Sequence, residues 1–275
     1  MFLHCGPFQL DLSRPRVMGI VNVTPDSFSD GGQHLSVDAA LAHALQLVEA
    51  GADMLDIGGE STRPGAQPVS IQQELARVIP VIEGLRGVSV PVSIDTFKPE
   101  VMKQAIAAGA SMVNDINALQ DEAAMRAVAA SDAAVCLMHK QGDPQTMQMN
   151  PDYRDVVAEV ADFLQQRVKA AQAAGIDCTR IVVDPGFGFG KTLEHNVALL
   201  RELPLFRTLG VPILAGLSRK SMLGALTGRD VEHRQSVSVV AALLAVQRGA
   251  AIVRVHDVRE TVDALKIWNV ISGEQ

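Results

Sequence analysis

The sequence predicts a single-domain (β/α)8 TIM barrel over residues 1–275, on three observations. Short apolar runs alternate with helix-length segments from one end of the chain to the other. The runs are rich in Val, Ile, Leu and Met without polar alternation, as parallel strands covered on both faces are. No linker or shift of composition divides the chain, and its length is near the roughly 250 residues typical of such barrels. An open doubly wound sheet of eight strands is the alternative arrangement of the same elements.

The expected strands are Val17–Val23, Met54–Ile57, Val90–Ile94, Met112–Asn114, Ala133–Met138, Ile181–Val183, Pro212–Ala215 and Ile252–Val255. The helices between them are marked by their ends. Ser36 opens one that stops at Gly51. Ser70 and Gln73 make a capping box for residues 71–85. Pro99 stands where a first helical residue belongs, and Gly109 closes that helix. Two further helices, over 155–174 and 234–248, run into Gly175 and Gly249.

With 48% hydrophobic and 20% charged residues the chain is neither disordered nor fibrous. Its three cysteines, Cys5, Cys136 and Cys178, are too scattered for a disulfide framework or a zinc site. Reduced thiols and a cytoplasmic location are the expectation. The N-terminus does not read as a signal peptide. Residues 237–246, the most apolar stretch, fall well short of the roughly 20 needed to span a bilayer. A net charge of −7 argues against nucleic-acid or anionic-membrane partners. Any anionic ligand must therefore meet a local concentration of positive charge.

A (β/α)8 barrel builds its active site at the C-terminal ends of its strands. Asn22 and the segment 24–34 follow the first expected strand, and residues 58–65, with Thr62 and Arg63, follow the second. The third ends in Asp95 and the fourth in Asn114 and Asp115. His139 follows the fifth and Asp184 the sixth. Ser218, Arg219 and Lys220 follow the seventh; Arg254 and His256 close the eighth. Charged residues abutting buried strands are not ordinary solvated surface. Arg63, Arg219, Lys220, Arg254 and His256 form the expected anion pocket. Asp95 and Asp184 suit three roles equally: pairing with a buried cation, ligating a metal, or accepting paired N–H donors from a ligand.

Other motifs carry less. Residues 186–191 (GFGFGK) suggest a P-loop, but Pro185 stands at its first glycine position. The segment reads instead as a flexible, close-packed loop carrying Phe187 and Phe189 over the barrel mouth. His139 lacks a second histidine at ligand spacing and reads as a structural hydrogen-bonder. His4, His34, His43, His195 and His233 are read in the same way.

Residues 18–32, MGIVNVTPDSFSDGG, resemble the first signature of the dihydropteroate synthases, the folate-pathway enzymes that sulfonamides inhibit. The resemblance continues through 56–64 (DIGGESTRP), 93–96 (SIDT), 114–116 (NDI), 184–190 (DPGFGFG), 217–221 (LSRKS) and 253–257 (VRVHD), in the family's order and at strand ends.

The resemblance implies roles. Asp95, Asn114, Asp184 and Lys220 would bind the pterin of 6-hydroxymethyl-7,8-dihydropterin diphosphate, with Asp184 on its aminopyrimidine edge. Arg254 would lie against the pterin face. Asn22, Arg63, Arg254 and His256 would hold the diphosphate, with Asn22 also a Mg2+ ligand. Phe28, Thr62, Pro64, Phe189, Ser218, Arg219 and Lys220 would form the p-aminobenzoate pocket. Asp95, Lys220 and Arg254 would be the catalytic groups. A homodimer through the outer helices near the end of the chain is also implied. Two rival readings share the barrel: a pterin-binding methyltransferase domain of a corrinoid system, and a non-catalytic binding barrel. Segments 24–34 and 61–68 are poor in apolar residues, so they are expected to be ordered only by bound diphosphate and Mg2+.

Overall fold

The computed structural model of the chain describes residues 1–23, 33–61, 67–143, 146, 147, 149 and 151–273. Two short strands, β1 (Phe2–Cys5) and β2 (Phe8–Asp11), form an antiparallel hairpin. Eight parallel strands follow: β3 (Arg16–Asn22), β4 (Met54–Gly58), β5 (Val92–Asp95), β6 (Met112–Asp115), β7 (Ala134–Met138), β8 (Ile181–Asp184), β9 (Leu214–Ala215) and β10 (Ile252–Val255). Their order is β8-β7-β6-β5-β4-β3-β10-β9. A parallel bridge between Val183 and Ile213 joins the two ends, so the barrel prediction holds.

Three expected strand starts are too early, at Val90, Ala133 and Pro212, and proline explains the first and last. Pro91 and Pro212 have no N–H to give to a ladder. Each still accepts through its carbonyl, Pro91 from Leu55 N (3.0 Å) and Pro212 from Val183 N (3.0 Å). The strands proper therefore begin after them, at Val92 and Leu214.

The anticipated helices are α1 (Gln33–Glu49), α2 (Ile71–Gly84), α3 (Pro99–Ala108), α5 (Val156–Ala173) and α8 (Gln235–Gln247); α4 (Glu122–Ala129), α6 (Leu193–Arg201), α7 (Ser221–Thr227) and α9 (Val258–Ser272) complete the outer ring. The capping box at α2 is present: Gln73 N donates to Ser70 Oγ (3.2 Å) and Ser70 N to Gln73 Oε1 (3.0 Å). Asp155 caps α5 by accepting from Val157 N and Ala158 N.

Strand side chains divide the core in two. Val21, Leu55, Ile57, Ile94, Val113, Leu137, Val183 and Val253 face outward and pack with helix residues such as Ala44, Val78, Met102 and Leu164. Met18, Met54, Met112, Cys136, Val182, Leu214 and Ile252 form a separate inner cluster with Leu3 and Cys5 of the hairpin. The hairpin, unanticipated from the sequence, thus closes the barrel floor. Cys5 and Cys136 are buried free thiols and Cys178 an exposed one. Among the described residues no helix is long and apolar enough to cross a membrane.

Candidate active site

Side chains alternate along a strand, so the inward row that starts with the apolar floor continues two residues later with the next layer. On β4 that places Asp56 above Met54, on β6 Asn114 above Met112, on β8 Asp184 above Val182, and on β10 Arg254 above Ile252. The floor is apolar and the layer above it is charged.

Arg254 is the hub of that layer. Its Nε donates to Asp56 Oδ2 (2.5 Å) and its Nη2 to Asp95 Oδ2 (2.8 Å). Asn114 Nδ2 donates to the same Asp56 oxygen (3.0 Å). Burial pulls the guanidinium down, but Asp56 and Asp95 outweigh it and leave Arg254 above its ordinary value. Burial pushes Asp95 up to about 7 against the pull of Arg254. Asp56 is fully buried, and its Oδ1 has no partner among the described residues. Sequence reading passed over Asp56 as a site residue. A carboxylate inside the otherwise apolar run MLDIG was the available signal, because an unpaired charge there would cost several kcal/mol.

Asp184 and Lys220 meet across Gly216. A Cβ on that glycine would lie 3.8 Å from Asp184 Oδ2, 3.9 Å from Arg254 Cβ and 4.0 Å from Lys220 Nζ. Asp184 Oδ1 accepts from Gly186 N (2.7 Å), which turns Oδ2 toward the shared space. Burial raises the Asp184 carboxyl above its ordinary value, opposed by Lys220. Burial lowers Lys220 to about 8, opposed by Asp184. Lys220 Nζ also donates to Phe187 O and stands 4.8 Å from the Phe189 ring centre.

The loop after β8 corrects an expectation. The Phe187 ring is fully buried in the outer core and does not cover the mouth; of the two rings, the Phe189 ring stands beside the Lys220 ammonium. Nor is the loop loose, because Lys191 Nζ lies within 3.3 Å of four acceptors in it and in the segment after β7.

At the rim, Ser218 Oγ and His256 Nδ1 are 3.0 Å apart, and His256 N donates to Ser218 Oγ (3.2 Å). Arg219 takes a left-handed backbone, φ 59°. Its N–H donates to Ser238 Oγ (2.9 Å), and its guanidinium pairs with Asp257 at 2.6 Å. Arg219 and Arg254 are thus ion-paired, and the positive charge of the mouth is more compensated than a count of basic residues implies. Asn22 ends β3: a Cβ on Gly58 would lie 3.8 Å from Asn22 Oδ1 and 3.8 Å from Asp95 Oδ2. Phe28, Thr62, Arg63 and Pro64 lie outside the described residues, as do residues 24–32 and 62–66 as a whole.

One further cluster was not anticipated. Lys98 Nζ donates to Glu60 Oε2 (2.7 Å), Glu74 Oε2 (2.6 Å) and Val69 O (2.5 Å). Glu60 Oε1 in turn accepts from Val69 N (3.0 Å), so Glu60 and Val69 are tied to the N-terminus of α3.

The sequence profile of the family described as pterin binding enzymes matches residues 18–256. The chain is 54% identical over 273 residues to the dihydropteroate synthase of Neisseria meningitidis serogroup C, covering 98% of this chain and 96% of that one. The chain belongs to the dihydropteroate synthase family. A dihydropteroate synthase from Xanthomonas albilineans, solved with 4-aminobenzoic acid, superposes with a TM-score of 0.93 at 58% identity, covering 98% of both chains. A structure of the Xanthomonas albilineans enzyme with 7,8-dihydropteroate gives 0.90 at 54% identity, covering 99% of both. Family membership favours this enzyme class over the methyltransferase and non-catalytic readings.

Proposed function

We propose that this chain condenses 6-hydroxymethyl-7,8-dihydropterin diphosphate with p-aminobenzoate, giving 7,8-dihydropteroate and diphosphate. The observation that carries the reading is the convergence of Asp184, Lys220 and Arg254 on the space beside Gly216. One carboxylate oxygen and one ammonium there, with the stem of Arg254 beside them and its guanidinium on Asp56 and Asp95, complement a flat heterocycle with adjacent N–H donors and a carbonyl.

Asp184 accepts from the aminopyrimidine edge, Lys220 donates to the ring carbonyl, and Asn114 and Asp95 complete the rim of the pterin. Arg254 stacks against its face, which its two carboxylate partners pre-orient. Arg254, His256, Arg63 and Asn22 take the diphosphate. Phe28, Thr62, Pro64, Phe189, Ser218, Arg219 and Lys220 form the p-aminobenzoate pocket.

Among the described residues, a divalent cation fits this donor set through Asn22. Among the described residues no group of three or more His, Cys, Asp or Glu side chains could hold a metal. Asn22 offers a single hard oxygen, which suits Mg2+ taking its other ligands from phosphate and water. When bound, Mg2+ neutralises charge developing on the diphosphate. Cleavage of the C–O bond to diphosphate leaves a cation on the exocyclic methylene, delocalised into the dihydropterin. Asp95 stabilises that cation as its carboxylate, and the aniline nitrogen of p-aminobenzoate attacks and then loses a proton.

Asp184 and Asn114 lie deeper than Ser218 and Arg219, so pterin diphosphate binds first and p-aminobenzoate closes over it. Diphosphate release should require both substrates and Mg2+. By calorimetry, p-aminobenzoate should bind measurably only when pterin and diphosphate are present, a coupling of roughly 1–3 kcal/mol or more. Tight binding to the ligand-free protein would overturn the order, and release without p-aminobenzoate would overturn the reaction.

The proposed assembly is a homodimer and the proposed compartment the cytoplasm, which the free thiols suit. Val240 and Leu244 on α8 and Ile267, Val270 and Ile271 on α9 are exposed apolar residues on neighbouring helices near the end of the chain. Sedimentation should give twice the 29.3 kDa chain mass; a monomer at micromolar concentration would exclude that interface.

A further inference from the structure

Lys191 is 3% exposed, and no step of the proposed reaction uses it. Its Nζ lies 2.9 Å from Gly186 O, 3.0 Å from Phe189 O, 3.0 Å from His139 Nδ1 and 3.3 Å from His139 O. Three near contacts and one longer one match the three N–H bonds of an ammonium, whose charge these acceptors and Asp184 support against burial, which lowers Lys191 to about 7. Burial, reinforced by the charge of Lys191, lowers His139 to about 3. The imidazole is therefore neutral, and its Nδ1 accepts while Nε2 carries the proton.

These contacts set the course of the whole loop. Gly186, Gly188 and Gly190 have φ of 70°, 81° and 63°, which turns the carbonyls of 186 and 189 inward. The turns cannot be relaxed by side chains: a Cβ on Gly186 would fall 1.8 Å from His139 O, and one on Gly190 2.3 Å from Gln141 O. On the other side of the loop, Phe187 O accepts from Lys220 and the Phe189 ring stands 4.8 Å from the same ammonium. Tyr153 Oη donates to Gly190 O (3.0 Å) and Gly188 N to Asn196 Oδ1 (2.6 Å), so both flanks are also tied.

We propose that Lys191 is a positioning residue that folds the Gly186–Gly190 loop around its buried ammonium and thereby holds Lys220 and Phe189 in register for the arylamine substrate. This rests on the reaction proposed above. The pterin carboxylates are on strands, Asp95 on β5 and Asp184 on β8, whereas Phe189 and the acceptor for Lys220 are on the loop. Loss of Lys191 leaves buried carbonyls without donors, which the loop can relieve only by unfolding its turns.

The test is Lys191→Met, of similar length and without a donor, with Lys191→Gln as a second variant that keeps two N–H bonds. The KM for p-aminobenzoate should rise and kcat fall by about 10-fold or more each in Lys191→Met, the scale of a misplacement near 1 Å. Calorimetric Kd for pterin diphosphate should rise by less than the roughly 10-fold of that KM: Lys220 and the Gly186 N–H that orients Asp184 shift with the loop, while Asp95 and Asn114 stay on their strands. Lys191→Gln should fall between wild type and Lys191→Met, and is read by the same criteria if Lys191→Met does not fold. An unchanged KM for p-aminobenzoate, or a loss of pterin diphosphate affinity as large as the rise in KM, would overturn the proposal. Absence of p-aminobenzoate-dependent diphosphate release in the wild-type protein would instead overturn the reaction itself.

Discussion

Asp184→Asn is expected to weaken binding of pterin diphosphate by about 10²-fold or more with little change in melting temperature. Two charge-assisted hydrogen bonds to the ligand are each worth roughly 1.5–3 kcal/mol. The backbone decides which way the new amide would face. Gly186 N already donates to Asp184 Oδ1 at 2.7 Å, so the asparagine must keep its oxygen there. Its NH2 then takes the place of Oδ2, beside Gly216, and meets the ligand's N–H groups donor to donor. The fold should survive because the Gly186 contact survives. Calorimetry with pterin diphosphate reads the effect directly, and undiminished affinity would remove Asp184 from the site.

Lys220→Ala is expected to lower turnover by at least about 10²-fold, the scale of deleting a positioned electrostatic group. Lys220 is partly exposed, so melting should move by a few degrees at most. The pH dependence of kcat/KM distinguishes its role. Asp95, held at about 7, is neutral below that pH and gains its catalytic charge as pH rises through it. Lys220, held at about 8, is charged below that pH and loses its charge above. The wild-type profile should therefore rise through about 7 and fall beyond about 8, and the variant should lack the alkaline fall. A large loss of stability with activity retained would make Lys220 a structural partner of Asp184 instead.

The barrel was legible because its signals are local and repeated: apolar runs with turns after them, capping residues and closing glycines. The charged layer at the strand ends was legible for the same reason, since alternation carries Asn114, Asp184 and Arg254 to one face. Asp56 was harder. Nothing in its neighbours says that a guanidinium from the last strand, 198 residues away, will reach it. The hairpin had a local signal, Gly6 and Pro7 between two short alternating runs, but its place in the floor is a tertiary fact. Phe187 and Phe189 differ by two positions in a run of alternating glycines, and sequence could not separate them. One goes into the core and the other to the mouth because Lys191, His139 and Gln141 fix the turns between them.

Among the described residues, the hairpin closes one end of the barrel. Leu3 and Cys5 seal the end opposite the charged layer, so both substrates enter, and both products leave, by the same door. On the proposed binding order, whatever sits deepest is covered by whatever sits above it. On the proposed reaction, dihydropteroate would leave by that mouth as one molecule, its pterin end last. The fold imposes that sequence before any moving part is considered, and an inhibitor wedged at the rim would trap the deeper ligand as well as exclude its own competitor.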